Sequence, residues 1–436
     1  MSKVLAGVAK VNITPPPVGT PLDGYAARKD GVGPSEGVHD ELYAKTLVLS
    51  DGKQKVAIVA TDLIGVDLRL TNAIREFAEK RIGIPRKNVL VSASHTHSGP
   101  AIGVLDEVIP IPDVYKHEVE NYRHTLERNI TSAIYIANEK LRVARIGIGE
   151  GKIFTIGANR RGPKGSLDPE VGILRVDDEK EDVIGVLVNY TCHPTVMGAE
   201  NLLVSADFTG YAMEFVEKAK GEGVVALFTN GAQGDISTRF TRREQTFGEV
   251  KRLGAILGAE VLRVLEQVET VDRLRLESAV EEVHLPLREP PTPEEAMKTV
   301  EESKQILEGL RKRGAPQPKI RVAETTLQGA MGALRSVRGP RREEVISEVQ
   351  VVRINDIALV GVPGELFVEI GLDIKKKSGL EYAYVVGLAN DYVGYIVTRK
   401  AYEEGMYEPL ITRLSQVGEK VISHVALKLI AETNPR

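Results

Sequence analysis

Val56-Ala-Ile-Val-Ala-Thr-Asp62, an amphipathic stretch from about Thr71 to Arg81, and a second apolar run from Asn88 to Ala93 read as strand, helix, strand. Continuous apolar runs of this length joined through a helical period predict two buried neighbouring strands. The second run empties into Ser94-His-Thr-His-Ser-Gly-Pro100, so a polar turn carrying two imidazoles stands where the strand ends. On an extended backbone residues i and i+2 share a face, which predicts that His95 and His97 both point beyond that strand end. Two such rings can bind a metal together or serve as one ligand and one acid/base.

Working outward, residues 3–13 and 43–50 read as strands, separated by the Pro/Gly-rich Thr14–Pro21 and by Gly24-Tyr25 and Gly37-Val-His-Asp40. A helix is predicted over about 117–140, with strands near 141–150, 170–177 and 183–190. The strand at 183–190 runs into Asn189-Tyr-Thr-Cys-His-Pro-Thr195, and the run Val224–Thr229 into Asn230-Gly-Ala-Gln-Gly-Asp-Ile-Ser237, ahead of a helix over about 244–267. Three strand ends therefore deliver reactive side chains, at the position where α/β sheets collect active sites. Residues 290–345 change character, from Pro290-Pro-Thr-Pro293 through charged helical stretches to the basic turn Arg338–Arg342. They read as an inserted helical arm whose charges face solvent, with an oligomer contact or a substrate lid as the other roles. Strands resume at 348–353 and 357–361, Val362–Phe367 turns into a helix, a last strand covers 382–388, and a helix over 411–431 closes the chain. The expected fold is α/β, a mixed β-sheet core flanked by helices, forming one domain over 1–436.

Composition narrows the function. With 42% hydrophobic and 27% charged residues and a net charge of -4, the chain has the makings of a full core and a nearly balanced surface. That balance argues against nucleic acid and against a polybasic membrane anchor. The N-terminal stretch alternates like a strand without the apolar segment of a signal peptide, and no run is long enough to span a bilayer. Cys192 is the single cysteine. It excludes an intrachain disulfide, and the cytoplasm is the expected location.

Of the eight histidines, His117, His124 and His424 fall in helices and His284 in an alternating strand, whereas His95, His97 and His193 sit at strand ends beside Gly or Pro. Two His and one Glu form one known set of catalytic zinc ligands, and Glu365, after the turn Pro363-Gly364, is the natural third; its other reading is an acid complementing a helix N-terminus. Cys192 and His193, adjacent on an extended chain, face opposite ways and do not make a nucleophilic pair. Ser237 ends a loop of small residues whose backbone N–H groups can converge on an oxyanion or a water, or it caps a turn; it lies outside any GxSxG elbow.

Together Ser92-Ala-Ser-His-Thr-His-Ser-Gly-Pro100, His193 with Thr195 and Met197, Asn230–Ser237, Gly361-Val-Pro-Gly-Glu-Leu366 and Gly387–Glu408 resemble the catalytic domain of the neutral (non-lysosomal) ceramidases, zinc amidases of sphingolipid metabolism. Ala9-Lys-Val-Asn-Ile-Thr-Pro-Pro16, Gly24-Tyr25, Gly37–Leu49 and Ala60-Thr-Asp-Leu63 extend the resemblance, which runs from about residue 5 to 410. It implies a Zn2+ held by His95, His193, Glu365 and Tyr395. It also implies His97 as a second imidazole facing substrate, Ser237 as the family's serine, Tyr407 as a donor to the amide oxygen, and an arginine, Arg160 in preference to Arg161. The implied activity is hydrolysis of the amide of an N-acyl or lipid-like compound by metal-activated water, with Ser237 as nucleophile or as positioner of that water. A small soluble ester, lactone or N-acyl substrate, and a non-catalytic metal- or ligand-binding homologue, are the alternatives. Ser237 is followed by Thr238-Arg239 where that family tends to have Pro-Asn, and the family's C-terminal β-sandwich domain is not expected in this chain.

Overall fold

The computed structural model describes residues 4–28, 31–106, 108–162, 164–337 and 342–434. The two apolar runs that open the sequence reading, Lys55–Thr61 and Val89–Ala93, pair in parallel from Ala57 opposite Val89 to Thr61 opposite Ala93. They form one edge of an eight-stranded mixed sheet that continues through Tyr43–Ser50, Leu5–Asn12, Arg142–Lys152, Glu170–Asp178 and Val183–Tyr190 to Val225–Asn230. The connecting helix spans Leu68–Phe77, earlier than its periodicity predicts, because Asp67 caps it by accepting from the Leu70 N–H. Its last turn widens into a π-helical segment, Ala78–Ile82, closed by Gly83 at φ +76°.

The sheet is continuous in order but weakly joined in its middle, where Leu5–Asn12 meets Arg142–Lys152 through only Leu5 opposite Val143 and Ala6 opposite Arg142. It coils there until its two edges approach. The Asn230 amide donates to Ser94 O at 2.9 Å and to Cys192 O at 3.0 Å, tying one edge to the other. A second sheet, Leu276–Pro286, Glu344–Ile354, Ile357–Gly361 and Tyr382–Val386 in that order, covers the inside of the coil. Leu47, Ile58, Leu174, Leu187, Leu359 and Tyr384 share one buried cluster, so both halves of the first sheet and the face of the second enclose a single core. Side chains one residue away, such as Val48, Ile173 and Val360, point outward under helices, the period-2 division expected of sheets covered on both faces. Gly172 marks the closest approach: a Cβ there would lie 2.5 Å from the Tyr384 ring.

The helices over Asp113–Glu139, Asp207–Lys220, Phe247–Leu265, Val368–Ser378 and Gly418–Glu432 cover the outer faces. The last of these starts later than its apolar pattern predicts. Thr412 adopts an extended conformation and its hydroxyl donates to Tyr395 O at 2.7 Å, which separates a short helix, Tyr407–Ile411, from the terminal one. The arm consists of two helices, Pro293–Lys312, entered through a capping box at Thr292 and Glu295, and Gln317–Ser336. The second is not simply a solvated element. Gly329 lets it approach Tyr407 so closely that a Cβ would lie 3.0 Å from the Tyr407 carbonyl oxygen. Residues 338–341 of the basic turn lie outside the described residues. No helix among the described residues is long and apolar enough to cross a membrane.

Candidate functional site

The coil of the first sheet brings His95 and His193 together from opposite edges, with ring centroids 4.8 Å apart. His95 is not extended, as the strand reading had it; it adopts φ +72°, which swings its ring away from the direction an i, i+2 pair would share with His97. The His95 and His97 rings stand perpendicular at 4.8 Å rather than side by side. Glu365 and Tyr395 come from the segments that follow Ile357–Gly361 and Tyr382–Val386 of the second sheet, where Glu365–Leu366 and Tyr395–Ile396 form a separate two-residue parallel ladder with Glu365 opposite Tyr395. Glu365 thus belongs to a strand, not to the first turn of the helix Val368–Ser378, where Glu369 stands.

Hydrogen bonds fix the tautomers. His95 Nδ1 lies 2.6 Å from Ile64 O, and His193 Nδ1 lies 2.7 Å from Gln233 O and 2.9 Å from Ile236 O. A carbonyl only accepts, so both Nδ1 atoms carry the proton and both Nε2 atoms present a lone pair. Those lone pairs face Glu365 Oε2, at 2.9 Å from His193 and 3.3 Å from His95. Burial, with the neighbouring Arg160 guanidinium, pulls His193 down to about 4, so at neutral pH its ring supplies no proton to that contact. His95 Nε2 is buried without a hydrogen-bond partner. Buried lone pairs directed at a carboxylate are stable only with a cation or proton among them, and the donor set of imidazole nitrogens and hard oxygens suits a divalent ion such as zinc. His95, His97 and His193 also place one nitrogen each within 4.8 Å of one another.

Around this group the remaining predicted residues converge. Arg160, buried, donates from Nε to Glu408 Oε1 at 2.7 Å and from Nη2 to Tyr395 Oη at 2.9 Å and Gly234 O at 2.7 Å, with Nη1 3.2 Å from His193 Nε2. Arg161 turns the other way, to Glu408 Oε2 at 2.9 Å and Glu404 at 3.0 Å. Tyr407 stands edge-on to Tyr395, centroids 5.9 Å apart. Both nitrogens of His97 are buried and unpartnered, and burial together with the other two imidazoles holds its pKa well below the usual histidine range. The Tyr25 ring lies 4.8 Å from His97, and Gly24, at φ +101°, touches it: a Cβ there would fall 2.7 Å from the ring. Ser237 caps the 3-10 turn Thr238–Phe240 by accepting from the Arg239 N–H at 3.3 Å. The loop before it does not form an open nest, because the N–H groups of Gln233, Gly234 and Ile236 are taken by Gly231 O, Leu366 O and Gln233 O. Cys192 is buried, its thiol raised by burial, with Sγ 3.5 Å from His193 O.

Two cavities meet at this group. One, of 420 Å³, reaches His95 and Glu365 along Val104, Leu105, Ile109, Val345, Val393 and Ile411. The other, of 690 Å³, reaches Arg160 and Ser237 past Tyr25, and the arm helix Gln317–Ser336 supplies Arg321, Thr325, Gln328 and Arg335 to its wall. His97, Tyr395 and Tyr407 border both.

Sequence reasoning passed over Tyr392, whose hydroxyl donates to Glu365 Oε1 at 2.6 Å, and Glu408, whose carboxylate both arginines grip. The signal for both was proximity, since each sits beside a residue already singled out. It also missed Asp235, which accepts from the first helical N–H, Val368, at 2.8 Å and from Asn159 Nδ2 at 2.7 Å, joining the serine loop to the helix behind Glu365. Burial raises Asp235 to about 6. A carboxyl whose folded pKa exceeds its unfolded value of about 3.9 binds the proton more tightly when folded. Its contribution is therefore full below about pH 4 and lost as pH rises through 6. The stability difference between the native protein and Asp235→Asn should fall by ~2–3 kcal/mol from pH 4 to pH 7 in denaturant titrations; a difference independent of pH would refute this.

Comparison with known proteins follows the same lines. Residues 4–246 match the family model described as neutral/alkaline non-lysosomal ceramidase, N-terminal. Neutral ceramidase of Pseudomonas aeruginosa is 22% identical over 92% of this chain and 68% of its own length. Neutral ceramidase 1 of Arabidopsis thaliana is 28% identical over 50% of this chain, which spans only 29% of that protein. In three dimensions the crystal structure of the Pseudomonas aeruginosa neutral ceramidase superposes with a TM-score of 0.78 at 21% identity, over 99% of this chain and 74% of the other.

Proposed function

The chain belongs to the neutral/alkaline non-lysosomal ceramidase family, and from that premise we propose that it is a zinc-dependent hydrolase cleaving the amide bond of an N-acyl compound. The observation that carries this is the convergence of the unprotonated Nε2 atoms of His95, which has no hydrogen-bond partner, and His193 on the Glu365 carboxylate where two cavities join. We assign the ion to His95, His193, Glu365 and Tyr395. When bound, zinc supplies Lewis acidity toward a carbonyl oxygen and makes water a stronger acid.

The chain's own groups do the rest. His97, with both nitrogens free, accepts a proton from the attacking water and returns it to the leaving nitrogen; its lowered pKa makes it the weaker partner in the first transfer and the stronger in the second. Arg160 donates to Tyr395 Oη and offsets part of the burial that holds the Tyr395 pKa well above the usual phenol range, orienting that oxygen as an acceptor toward the ion. Tyr407 and Arg160 face the shared space as donors for the developing oxyanion. The Ser237 oxygen already accepts from Arg239 N–H, and no base among the described residues hydrogen-bonds to it. Its proton is therefore free to donate, which supports a positioning role over a nucleophilic one. The substrate fits as an acyl chain along Val104, Leu105 and Ile109 and an amine half on the Ser237 side.

Chelator treatment should abolish hydrolysis of N-dodecanoyl amides, and stoichiometric zinc should restore it. Purified protein lacking zinc, with no activity on adding it, would end this reading.

A further inference from the structure

The cavity beside Ser237 is lined by five arginines, Arg160, Arg239, Arg242, Arg321 and Arg335, against two glutamates, Glu200 and Glu324. Arg160 is paired with Glu408, and Arg321 is 3.2 Å from Glu324, which also meets Arg311 at 2.8 Å. Arg239, Arg242 and Arg335 have no carboxylate within ion-pair distance among the described residues. Arg239 reaches only Thr325 Oγ1 on the arm, at 3.4 Å, and Arg242 only Thr195 O and Thr238 Oγ1. Burial, with Arg160 nearby, lowers Arg239 to about 10, and burial likewise lowers Arg242. Arg239 and Arg242 are half-buried and Arg335 is exposed; half-buried guanidinium groups without a counter-charge are stabilised by an anion, and their fork of donors matches carboxylate and phosphate oxygens. The other cavity holds no such excess: its lining has Arg342 and Arg413 against Asp67, Glu365 and Asp391.

The geometry points to a substrate whose amine half carries an anionic group, a carboxylate or a phosphate, seated on Arg239 and Arg242 and closed over by Arg321 and Arg335 of the arm. This rests on the amide-hydrolase reading for which half of the substrate lies there, but the anion site itself does not depend on turnover. The chemistry is that of an N-acyl amino acid or an N-acyl aminoalkyl phosphate, in contrast to a neutral N-acyl amino alcohol.

The test compares kcat/KM of the zinc-loaded protein for N-dodecanoylglycine, N-dodecanoyl-O-phosphoethanolamine and the neutral N-dodecanoylethanolamine. One or both anionic substrates should exceed the neutral one by roughly 10- to 100-fold, the worth of a charge-assisted pair, and which one leads tells carboxylate from phosphate. In Arg239→Gln and in Arg242→Gln that ratio should collapse toward one; a ratio within one preparation is unaffected by any unfolded fraction. Equal or better turnover of the neutral substrate, or an anionic preference untouched by both variants, overturns the proposal. Calorimetric binding of N-(dodecylsulfonyl)glycine against N-(dodecylsulfonyl)ethanolamine, sulfonamides that cannot undergo acyl transfer, separates the two readings. Tighter binding of the anionic analogue without hydrolysis of any amide upholds the anion site and sinks the hydrolase assignment, whereas equal binding sinks the anion site.

Discussion

Replacing His95 by alanine is expected to strip the protein of its metal and, with it, essentially all hydrolysis, whereas His97→Ala should retain the metal and lose rate. His95 Nε2 is one of two lone pairs aimed at Glu365, and its Nδ1 is locked to Ile64 O. Losing it should weaken metal binding by more than the roughly 10- to 100-fold that removal of a supporting partner costs. His97 also stands within reach of the other two imidazoles, but its nitrogens have no partner to fix a tautomer, and it borders both cavities. Its loss should lower kcat by about 100- to 10,000-fold, the range for general acid–base catalysis. Metal content by mass spectrometry and kcat on one N-acyl amide decide the matter. Equal metal loss in both variants would make the three imidazoles the ligand set and overturn the division.

The second large effect concerns Arg160. Its guanidinium serves Glu408, Tyr395, Gly234 O and the space beside His193, all buried. Arg160→Leu leaves the Glu408 carboxylate with Arg161 alone, and breaking a buried pair by removing one partner typically costs about 3–5 kcal/mol. Denaturant unfolding of Arg160→Leu, Glu408→Gln and the double variant should show strong coupling: the double variant should be less destabilised than the two single losses added together. Additive losses would mean that the pair is not a unit. Arg160→Lys keeps the charge but not the fork, and should recover stability better than activity.

Much of this was legible in the chain. Apolar runs ending in Gly, Pro or polar turns located the strands, and two of those ends held the three histidines that the fold gathers, with Ser237 at a third. The continuous apolar runs at 56–62 and 88–93 predicted buried strands, and their alternate side chains do fall into clusters on opposite faces, Ile58 in one and Val59 in the other. What periodicity could not convey is how the sheet bends: two residue pairs at its middle let opposite edges meet, and no local pattern encodes a weak ladder. Nor could it show that His95 is left-handed, since nothing in Ser94-His95-Thr96 demands it and the bonds that enforce it come from Leu63 and Ile64. The arm's charges read as solvent-facing because helix periodicity is blind to a partner more than 70 residues away. Gly329 against Tyr407 turns part of that charge inward.

The origin of the four assigned ligands has a further meaning. His95 and His193 follow strands of the first sheet, Glu365 and Tyr395 follow strands of the second. An ion gripped by all four would act as a rivet between two sheets otherwise held by their shared apolar core and a few main-chain links, such as Asn390 N–H to Val91 O at 2.7 Å. Its binding free energy would then count directly toward holding the sheets shut, and the metal would be a structural fastener as much as a reagent.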